Sequence, residues 1–383
     1  MLYLDHQATT PIDTEVFARM SPYFAEFFGN PHSADHFKGW QADQAVELAR
    51  NEVATLVGAD PDEIIFTSGA TEANNLALFG LARRAATNNR RRILLSPIEH
   101  KCVLASGRAI QEQLGFKIET LKVNSIGQID LEHLVHSIND DVLVVSAMAV
   151  NNEIGTIQDI KRIGEIAGKY GALFHCDCAQ APCAMDTAQI ATHTDLASLS
   201  GHKMYGPMGI GALYIRRDIQ TSIEPLIFGG GQQNHLRSGT LPTPLCVGMG
   251  AASTLFGGDL AALERARQAR LRDRFVQKLT MLNYPVALNG PPLGGQRHPG
   301  NANIRFSGFS AQDILGALQP IVSASTGAAC ASGIPEPSHV LHAIGLDEQE
   351  AGSSIRFSLG RDTNEEIIDE AVFRIHEVLD EVG

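Results

Sequence analysis

The sequence predicts an α/β fold in which helices cover a mostly parallel sheet, followed by a smaller α+β unit. Short apolar runs alternate with helical stretches between residues 61 and 215. This alternation is typical of parallel sheets whose crossover connections are helices. A Gly- and Pro-rich stretch over residues 285–300 indicates passage into the second unit.

Six apolar runs are predicted as strands of the sheet: Glu63–Phe66, Ile93–Leu95, Val142–Ser146, Leu173–Cys176, Leu196–Leu199 and Ala212–Ile215. Residues 104–113 and 160–170 carry apolar side chains at every third or fourth position, as crossover helices do. The longest helical pattern covers residues 260–282. Residues 301–383 are predicted to form a strand, a helix, a loop, a helix, a strand and a final helix.

Composition excludes some functions. The 383 residues include 43 acidic and 30 basic side chains, and the formal charge of −13 disfavours direct contact with nucleic acid or anionic membrane. No apolar run reaches the roughly 18 residues of a membrane span, and the N-terminus lacks the features of a signal peptide. Both observations predict a cytoplasmic location. The six cysteines show no C-x-x-C pair, so we expect reduced thiols.

Small and polar residues follow several predicted strands, at the edge where open parallel sheets bind ligands. Residues 67–72, Thr-Ser-Gly-Ala-Thr-Glu, suit a phosphate before a helix, although a simple N-cap would look the same. Asp177 ends a strand and suits a protonated ring nitrogen. The run His175–Cys178 contains metal ligands, but alternate strand residues face opposite ways, so we expect no metal site.

Lys203 lies in the loop Ser200–Pro207, Ser-Gly-His-Lys-Met-Tyr-Gly-Pro. A lysine among hydroxyl and imidazole groups is a candidate for a Schiff base with a phosphate-bearing cofactor. A single loop lysine is more often a solvated charge. The residues around Lys203 are what favour the catalytic interpretation.

With Ser-Gly-His-Lys and Tyr-Gly-Pro, the sequence resembles the NifS/IscS cysteine desulfurases, which are pyridoxal-phosphate (PLP) enzymes of the aspartate-aminotransferase fold. The resemblance extends from Tyr3 to Arg361. Its other motifs are Ala8–Pro11, Gly29–Pro31, Phe66–Glu72, Glu99–Lys101, Val150–Gly155 and Arg237–Pro242. It implies PLP fold type I, with a seven-stranded, mostly parallel sheet in a large PLP-binding domain (residues 15–258) and a small domain made of residues 1–14 and 259–383.

The resemblance also implies roles for single residues. Lys203 would carry PLP and move protons at the substrate α-carbon, and His100 would stack on the ring and assist acid–base steps. The other implied cofactor contacts are Ala70, Thr71, Asn152, Asp177, Gln180, Ser200, His202 and Thr240. Thr240 would reach the PLP phosphate of the neighbouring subunit, which implies a homodimer. Arg356, helped by Asn30, would bind the carboxylate of L-cysteine.

Cys330 matches the nucleophile of the family. It would accept sulfur as a persulfide while L-cysteine becomes L-alanine. The segment around it, residues 323–338, is made largely of small and turn-forming residues, a composition that predicts mobility. The Gly-Ala-Ala before Cys330 departs from the Gly-Ser-Ala of housekeeping members. The other five cysteines are predicted to be packing residues.

Two other interpretations stay open. One is a selenocysteine lyase or small-molecule aminotransferase of the same superfamily. The other is a non-catalytic sulfur-relay or scaffold subunit, against which the complete set of Lys203, Asp177, His100 and Arg356 argues. The acceptor is expected to be a protein that serves iron–sulfur assembly, tRNA thiolation or DNA phosphorothioation. Housekeeping members carry a tail beyond the final helix, and the end at Gly383 favours the last of these.

Overall fold

The computed structural model describes residues 1–87, 89–327 and 338–382. Cys330 therefore lies outside the described residues. The described strands, in chain order, are β1 (Leu2–Tyr3), β2 (Ile64–Thr67), β3 (Arg92–Leu95), β4 (Lys117–Thr120), β5 (Val142–Ser146), β6 (Leu173–Asp177), β7 (Leu196–Ser200), β8 (Gly211–Ile215), β9 (Val286–Leu288), β10 (Asn301–Phe306), β11 (Val322–Ser323) and β12 (Ser354–Ser358).

The α-helices connect and cover these strands. In chain order they are α1 (Thr14–Met20), α2 (Pro22–Ala25), α3 (Phe37–Val57), α4 (Ala70–Arg84), α5 (Lys101–Leu114), α6 (Leu131–Ser137), α7 (Ile160–Lys169), α8 (Ala181–Ala184), α9 (Ile190–His193), α10 (Thr243–Thr254), α11 (Gly258–Thr280), α12 (Ala311–Ala317), α13 (His339–Ala343), α14 (Glu348–Gly352) and α15 (Glu365–Val382). Three short 3-10 turns cover Pro61–Glu63, Gly201–Lys203 and Arg217–Ser222.

A seven-stranded sheet in the order β2-β8-β7-β6-β5-β3-β4 forms the centre of the larger unit. Strand β8 runs antiparallel to both of its neighbours, whereas the pairs from β7 to β4 are parallel. The predicted fold class, an α/β protein with a mostly parallel sheet, is therefore confirmed. Because the parallel strands point the same way, the loops after them meet at one edge of the sheet.

Burial on both faces explains why these apolar runs form strands. In β2, Ile64 and Phe66 pack into one apolar cluster, and Ile65 packs into the cluster on the opposite face. Continuous apolar runs of this kind are typical of strands with helices on both sides. At the edge, the side chains of β4 are exposed or half-buried, and the sequence did not predict this strand.

The smaller unit contains an antiparallel sheet in the order β12-β10-β9, and β1 pairs in parallel with β11. Helices α11 and α15 pack together against this sheet around Phe275, Ile304, Phe357 and Ile375, which are all fully buried. The limits proposed for the two domains stay a prediction. Among the described helices, none is by itself long and apolar enough to cross a membrane, although α10 and α11, bent by 77°, pass that test as a pair on length and composition.

Candidate active site

A cavity of about 680 Å³ opens at the carboxyl ends of β2, β6 and β7, and β12 contributes to its wall. Ten residues that the sequence predicted for the site line it: Ala70, Thr71, His100, Asn152, Asp177, Gln180, Ser200, His202, Lys203 and Arg356. Asn30 and Thr240 are exposed and are not among the described residues that line the cavity. The topology thus brings together groups that are up to 286 positions apart in the sequence, from Ala70 to Arg356.

Lys203 ends the short 3-10 turn that follows β7. Its Nζ donates hydrogen bonds to the carbonyl oxygens of Gln7 at 2.6 Å and Ala8 at 2.7 Å, so the N-terminal segment fixes the position of the amine. Burial, together with the nearby cation of Arg356, lowers the pKa of Lys203 from 10.5 to about 8. The nucleophilic neutral amine is therefore a minor form at pH 7, but far more populated than in a solvated lysine.

Asp177 ends β6 as a buried carboxylate. Its Oδ2 accepts a hydrogen bond of 2.7 Å from Nδ2 of Asn74, and its Oδ1 accepts one of 3.0 Å from the backbone amide of Ala179. Asn74 is fully buried in α4. These two donors hold the carboxylate in one orientation, in which it suits a cationic ring N–H.

His100 is the N-cap of α5, where its Nδ1 accepts a hydrogen bond of 3.2 Å from the backbone amide of Cys102. A neutral His100 therefore carries its proton on Nε2. The ring is exposed where the cavity opens, yet desolvation by the surrounding protein lowers its pKa below the ordinary value of 6.5. A neutral imidazole suits stacking and proton exchange near pH 7.

Cys102 also belongs to the site. Its Sγ lies 3.0 Å from Nδ1 of His100 and accepts a hydrogen bond of 3.3 Å from Nδ2 of Asn74. Burial raises the pKa of the thiol to about 11, so it is protonated at neutral pH. As predicted, Cys102 packs against an apolar cluster of the large unit. Its thiol also contacts His100 within the cavity, and Asn74 links it to Asp177.

The N-terminus of α4 forms another wall. Its N-cap, Gly69, supplies no side chain to the first helical amides, and an added Cβ at Gly69 would meet no atom within 4 Å. The φ angle of 154° at Gly69 also favours glycine. Glu72 accepts hydrogen bonds from the Ser68 amide at 2.8 Å and from Nε of Arg237 at 2.8 Å. Open space before uncapped amides suits a phosphate group.

Arg356 projects from β12 and is buried. Its Nη1 donates to the carbonyl oxygen of Asn152 at 2.8 Å, and its Nη2 donates to Oδ1 of Asp5 at 2.6 Å and to Oγ of Ser325 at 2.9 Å. The guanidinium reaches the same cavity as Lys203. A planar cation of this kind suits a carboxylate.

These groups fit the parts of PLP. The amine of Lys203 suits its aldehyde, the fixed carboxylate of Asp177 suits its ring nitrogen, and the open N-terminus of α4 suits its phosphate. Within the described part of the chain, no group of three or more His, Cys, Asp or Glu residues is placed to hold a metal ion.

Known proteins are similar to this chain in both sequence and fold. The class-V aminotransferase family matches residues 2–370. The cysteine desulfurase IscS of Rickettsia prowazekii (strain Madrid E) is 48% identical over 371 residues, which are 97% of this chain and 89% of that protein. A solved NifS-like protein superposes with a TM-score of 0.91 at 34% identity, covering 99% of each chain. A solved structure of SspA in complex with cysteine superposes with a TM-score of 0.81 at 36% identity, covering 94% of this chain and 99% of the other.

The extent of these matches defines the class of protein. The chain belongs to the class-V aminotransferase family, and it has the PLP fold type I of its solved relatives. Within the family it is a PLP-dependent cysteine desulfurase, similar to the IscS and NifS proteins.

Sequence reasoning missed several residues of the site, among them Asp5, Asn74 and Cys102. Two of them carried a signal. Asn74 lies three positions after Thr71 on the same helix, so both face the same side, and Cys102 lies two positions after His100 at the start of α5. The contact between Asp5 and Arg356 joins residues 351 positions apart and left no local signal.

Proposed function

We propose that this cysteine desulfurase binds L-cysteine through Arg356, moves protons with Lys203 and His100, and takes the sulfur on Cys330. The observation that carries the proposal is the shared cavity of a carboxylate-binding cation, an amine with a lowered pKa and a fixed carboxylate. The complex with cysteine described for SspA supports the choice of substrate.

Each described side chain has a separate task. Arg356 orients the substrate by its carboxylate, so that the α-carbon lies near Nζ of Lys203, which accepts and returns a proton there. Asp177 keeps the ring nitrogen of PLP protonated. When bound, PLP withdraws electrons from the substrate α-carbon. His100, with its proton on Nε2, exchanges a proton with the substrate sulfur.

Sulfur transfer completes the reaction. The thiolate of Cys330 attacks the substrate sulfur, so that an S–S bond forms while the C–S bond breaks. The electrons of the C–S bond remain with the carbon skeleton, which takes up a proton and leaves as L-alanine. Because only the thiolate is a good nucleophile, the rate depends on the ionisation of Cys330.

Substitution of this cysteine tests the proposal. Cys330→Ser should keep the visible absorption of bound PLP but lose formation of the protein persulfide and of L-alanine from L-cysteine. Cys246→Ala is the matched control, because Cys246 is buried in the core of α10 and is not among the residues lining the cavity. Persulfide formation at the wild-type rate in Cys330→Ser would overturn the assignment.

The enzyme works as a homodimer in which Thr240 contacts the PLP phosphate bound to the partner subunit. Thr240 is exposed, while Arg237 of the same segment pairs with Glu72 at the phosphate end of α4. In this proposal, the exposed hydroxyl of Thr240 is free to reach the PLP site of the partner subunit. Sedimentation of the PLP-loaded enzyme as a single-chain species would contradict the proposal.

The persulfide passes to an acceptor protein and not to a free small thiol. Three kinds of acceptor are candidates: proteins of iron–sulfur assembly, of tRNA thiolation and of DNA phosphorothioation. Incubation with radiolabelled cysteine and one acceptor of each kind would distinguish them, because transfer leaves the label on the acceptor cysteine. Label that appears only as free sulfide with all three would count against a protein acceptor.

A further inference from the structure

The hydrogen-bond donors of Arg356 are largely committed to the protein. Nη1 donates to the carbonyl oxygen of Asn152, and Nη2 donates both to Oδ1 of Asp5 and to Oγ of Ser325. The Nε–H is buried and has no hydrogen-bond partner among the residues that the structure describes. Since a guanidinium has five N–H groups, one N–H of Nη1 and the Nε–H remain for another ligand.

Those two remaining donors do not form a fork. A carboxylate binds a guanidinium bidentately either side-on, through Nε and Nη2, or end-on, through Nη1 and Nη2. Nη2 belongs to both forks, and both of its hydrogens already have acceptors, on Asp5 and Ser325. A carboxylate that Arg356 holds with two hydrogen bonds must therefore displace one of these acceptors.

The charge of Asp5 makes it the stronger competitor. Its carboxylate forms an ion pair of 2.6 Å with a guanidinium whose side chain is only 4% exposed, whereas Ser325 offers a neutral hydroxyl. Hydrogen bonds to a carboxylate are stronger than hydrogen bonds to a hydroxyl. A second carboxylate at Nη2 would also lie close to Asp5 and repel it.

We propose that Asp5 sets the affinity of the site for amino-acid carboxylates, because it is a built-in carboxylate that competes with the substrate carboxylate for Nη2 of Arg356. The inference rests on the proposed function, because it takes Arg356 as the carboxylate-binding residue. A substrate carboxylate that takes Nη2 either displaces Asp5 and breaks the ion pair with Arg356, or displaces Ser325 and lies next to the charge of Asp5. Asp5 thus lowers the affinity for every amino acid whose carboxylate takes Nη2.

The test compares two substitutions in the PLP-loaded enzyme, one that removes a charge and one that removes a neutral hydroxyl. Asp5→Asn keeps an oxygen acceptor for Nη2 but removes the charge. Ser325→Ala removes the neutral acceptor, together with the hydrogen bond of 3.1 Å that its Oγ donates to Oδ1 of Asp5, and leaves the charge of Asp5 in place. L-alanine, the product, is titrated by the change in visible absorption of the bound cofactor. Cysteamine serves as a second ligand because it has the amine and thiol of cysteine without the carboxylate.

Asp5→Asn should bind L-alanine roughly five- to tenfold more tightly than the wild type, in line with the strength of a charged hydrogen bond. Its affinity for cysteamine should stay within about twofold, and Ser325→Ala should change both affinities by less than about twofold. Weaker or unchanged L-alanine binding in Asp5→Asn would overturn the inference. A rise in affinity for both ligands would also overturn it, because the effect would then not depend on the carboxylate.

Failure of the proposed function would be visible separately. Arg356→Gln should remove the preference for L-alanine over cysteamine if Arg356 binds the carboxylate. If that preference persists in Arg356→Gln, the role of Arg356 is refuted whatever Asp5→Asn does. If Arg356→Gln loses the preference while Asp5→Asn matches the wild type, only the competition by Asp5 is refuted.

Discussion

The lowered pKa of Lys203 predicts how fast the cofactor-free protein captures PLP at different pH values. Only a neutral amine attacks an aldehyde, and burial with the nearby Arg356 cation brings the pKa from 10.5 to about 8. At pH 7 the neutral fraction is then about 10%, against about 0.03% for an ordinary lysine, a difference of roughly 300-fold. The capture rate should therefore rise tenfold per pH unit below pH 8 and level off above it.

Two substitutions should move this midpoint in opposite directions. The cation of Arg356 lowers the pKa of Lys203 and the carboxylate of Asp5 raises it. Arg356→Gln should therefore move the midpoint to higher pH and Asp5→Asn should move it to lower pH. Opposite signs from two neutralising changes separate an electrostatic effect from general damage to the site.

The assay is stopped-flow absorbance after mixing the cofactor-free protein with excess PLP between pH 6 and pH 10.5. Pyridoxamine phosphate, which lacks the aldehyde, is the control, and its binding rate should not follow the ionisation of Lys203. A capture rate that continues to rise without levelling up to pH 10 would refute the argument, because the amine would then ionise like a solvated lysine.

Two further predictions concern residues behind the walls of the cofactor cavity. Gly211→Ala would place a Cβ 2.6 Å from the backbone of Gly69. Calorimetry should therefore show a loss of about 1–3 kcal/mol in the free energy of unfolding, and PLP should dissociate faster. The control is Gly168→Ala, which should show no loss because its Cβ would meet no atom within 4 Å. Asn74→Leu removes one of the two hydrogen-bond donors to Asp177, so the free energy of unfolding should fall by about 1.5–3 kcal/mol and PLP should dissociate faster. Unchanged retention of PLP would show that the amide of Ala179 alone holds the carboxylate.

The central sheet was predictable because its strands are buried on both faces. The predicted run Val142–Ser146 coincides with β5, and the other five predicted strands differ from the observed ones by one residue at one or both ends. Strand β4 was missed because it lies at the sheet edge, where Lys117 and Thr120 are exposed and the apolar pattern disappears. The two-residue strand β11 is too short for any pattern.

The site was predictable where chemistry follows a strand. Asp177 and Lys203 lie at or just after the ends of β6 and β7, and a parallel sheet necessarily brings such positions to one edge. Cys102 packs as its helix predicts, but its contact with Asn74 was not predictable, because it depends on how α4 and α5 lie side by side. Contacts between helices have no local signature in the sequence.

The N-terminal segment explains why the remaining contacts were beyond sequence reasoning. The backbone amide of Gln7 donates to Oγ of Ser358 at 2.9 Å, and its carbonyl oxygen accepts hydrogen bonds from Nζ of Lys203 and from Nε2 of Gln180 at 2.9 Å. Its side-chain Oε1 accepts a further hydrogen bond, of 2.6 Å, from Asn301. One residue thus ties the β12 end of the smaller unit to the catalytic amine of the larger one. Because three of these four bonds use the backbone of Gln7, which any residue can supply, only the folded structure reveals that the position of Lys203 depends on the first ten residues of the chain.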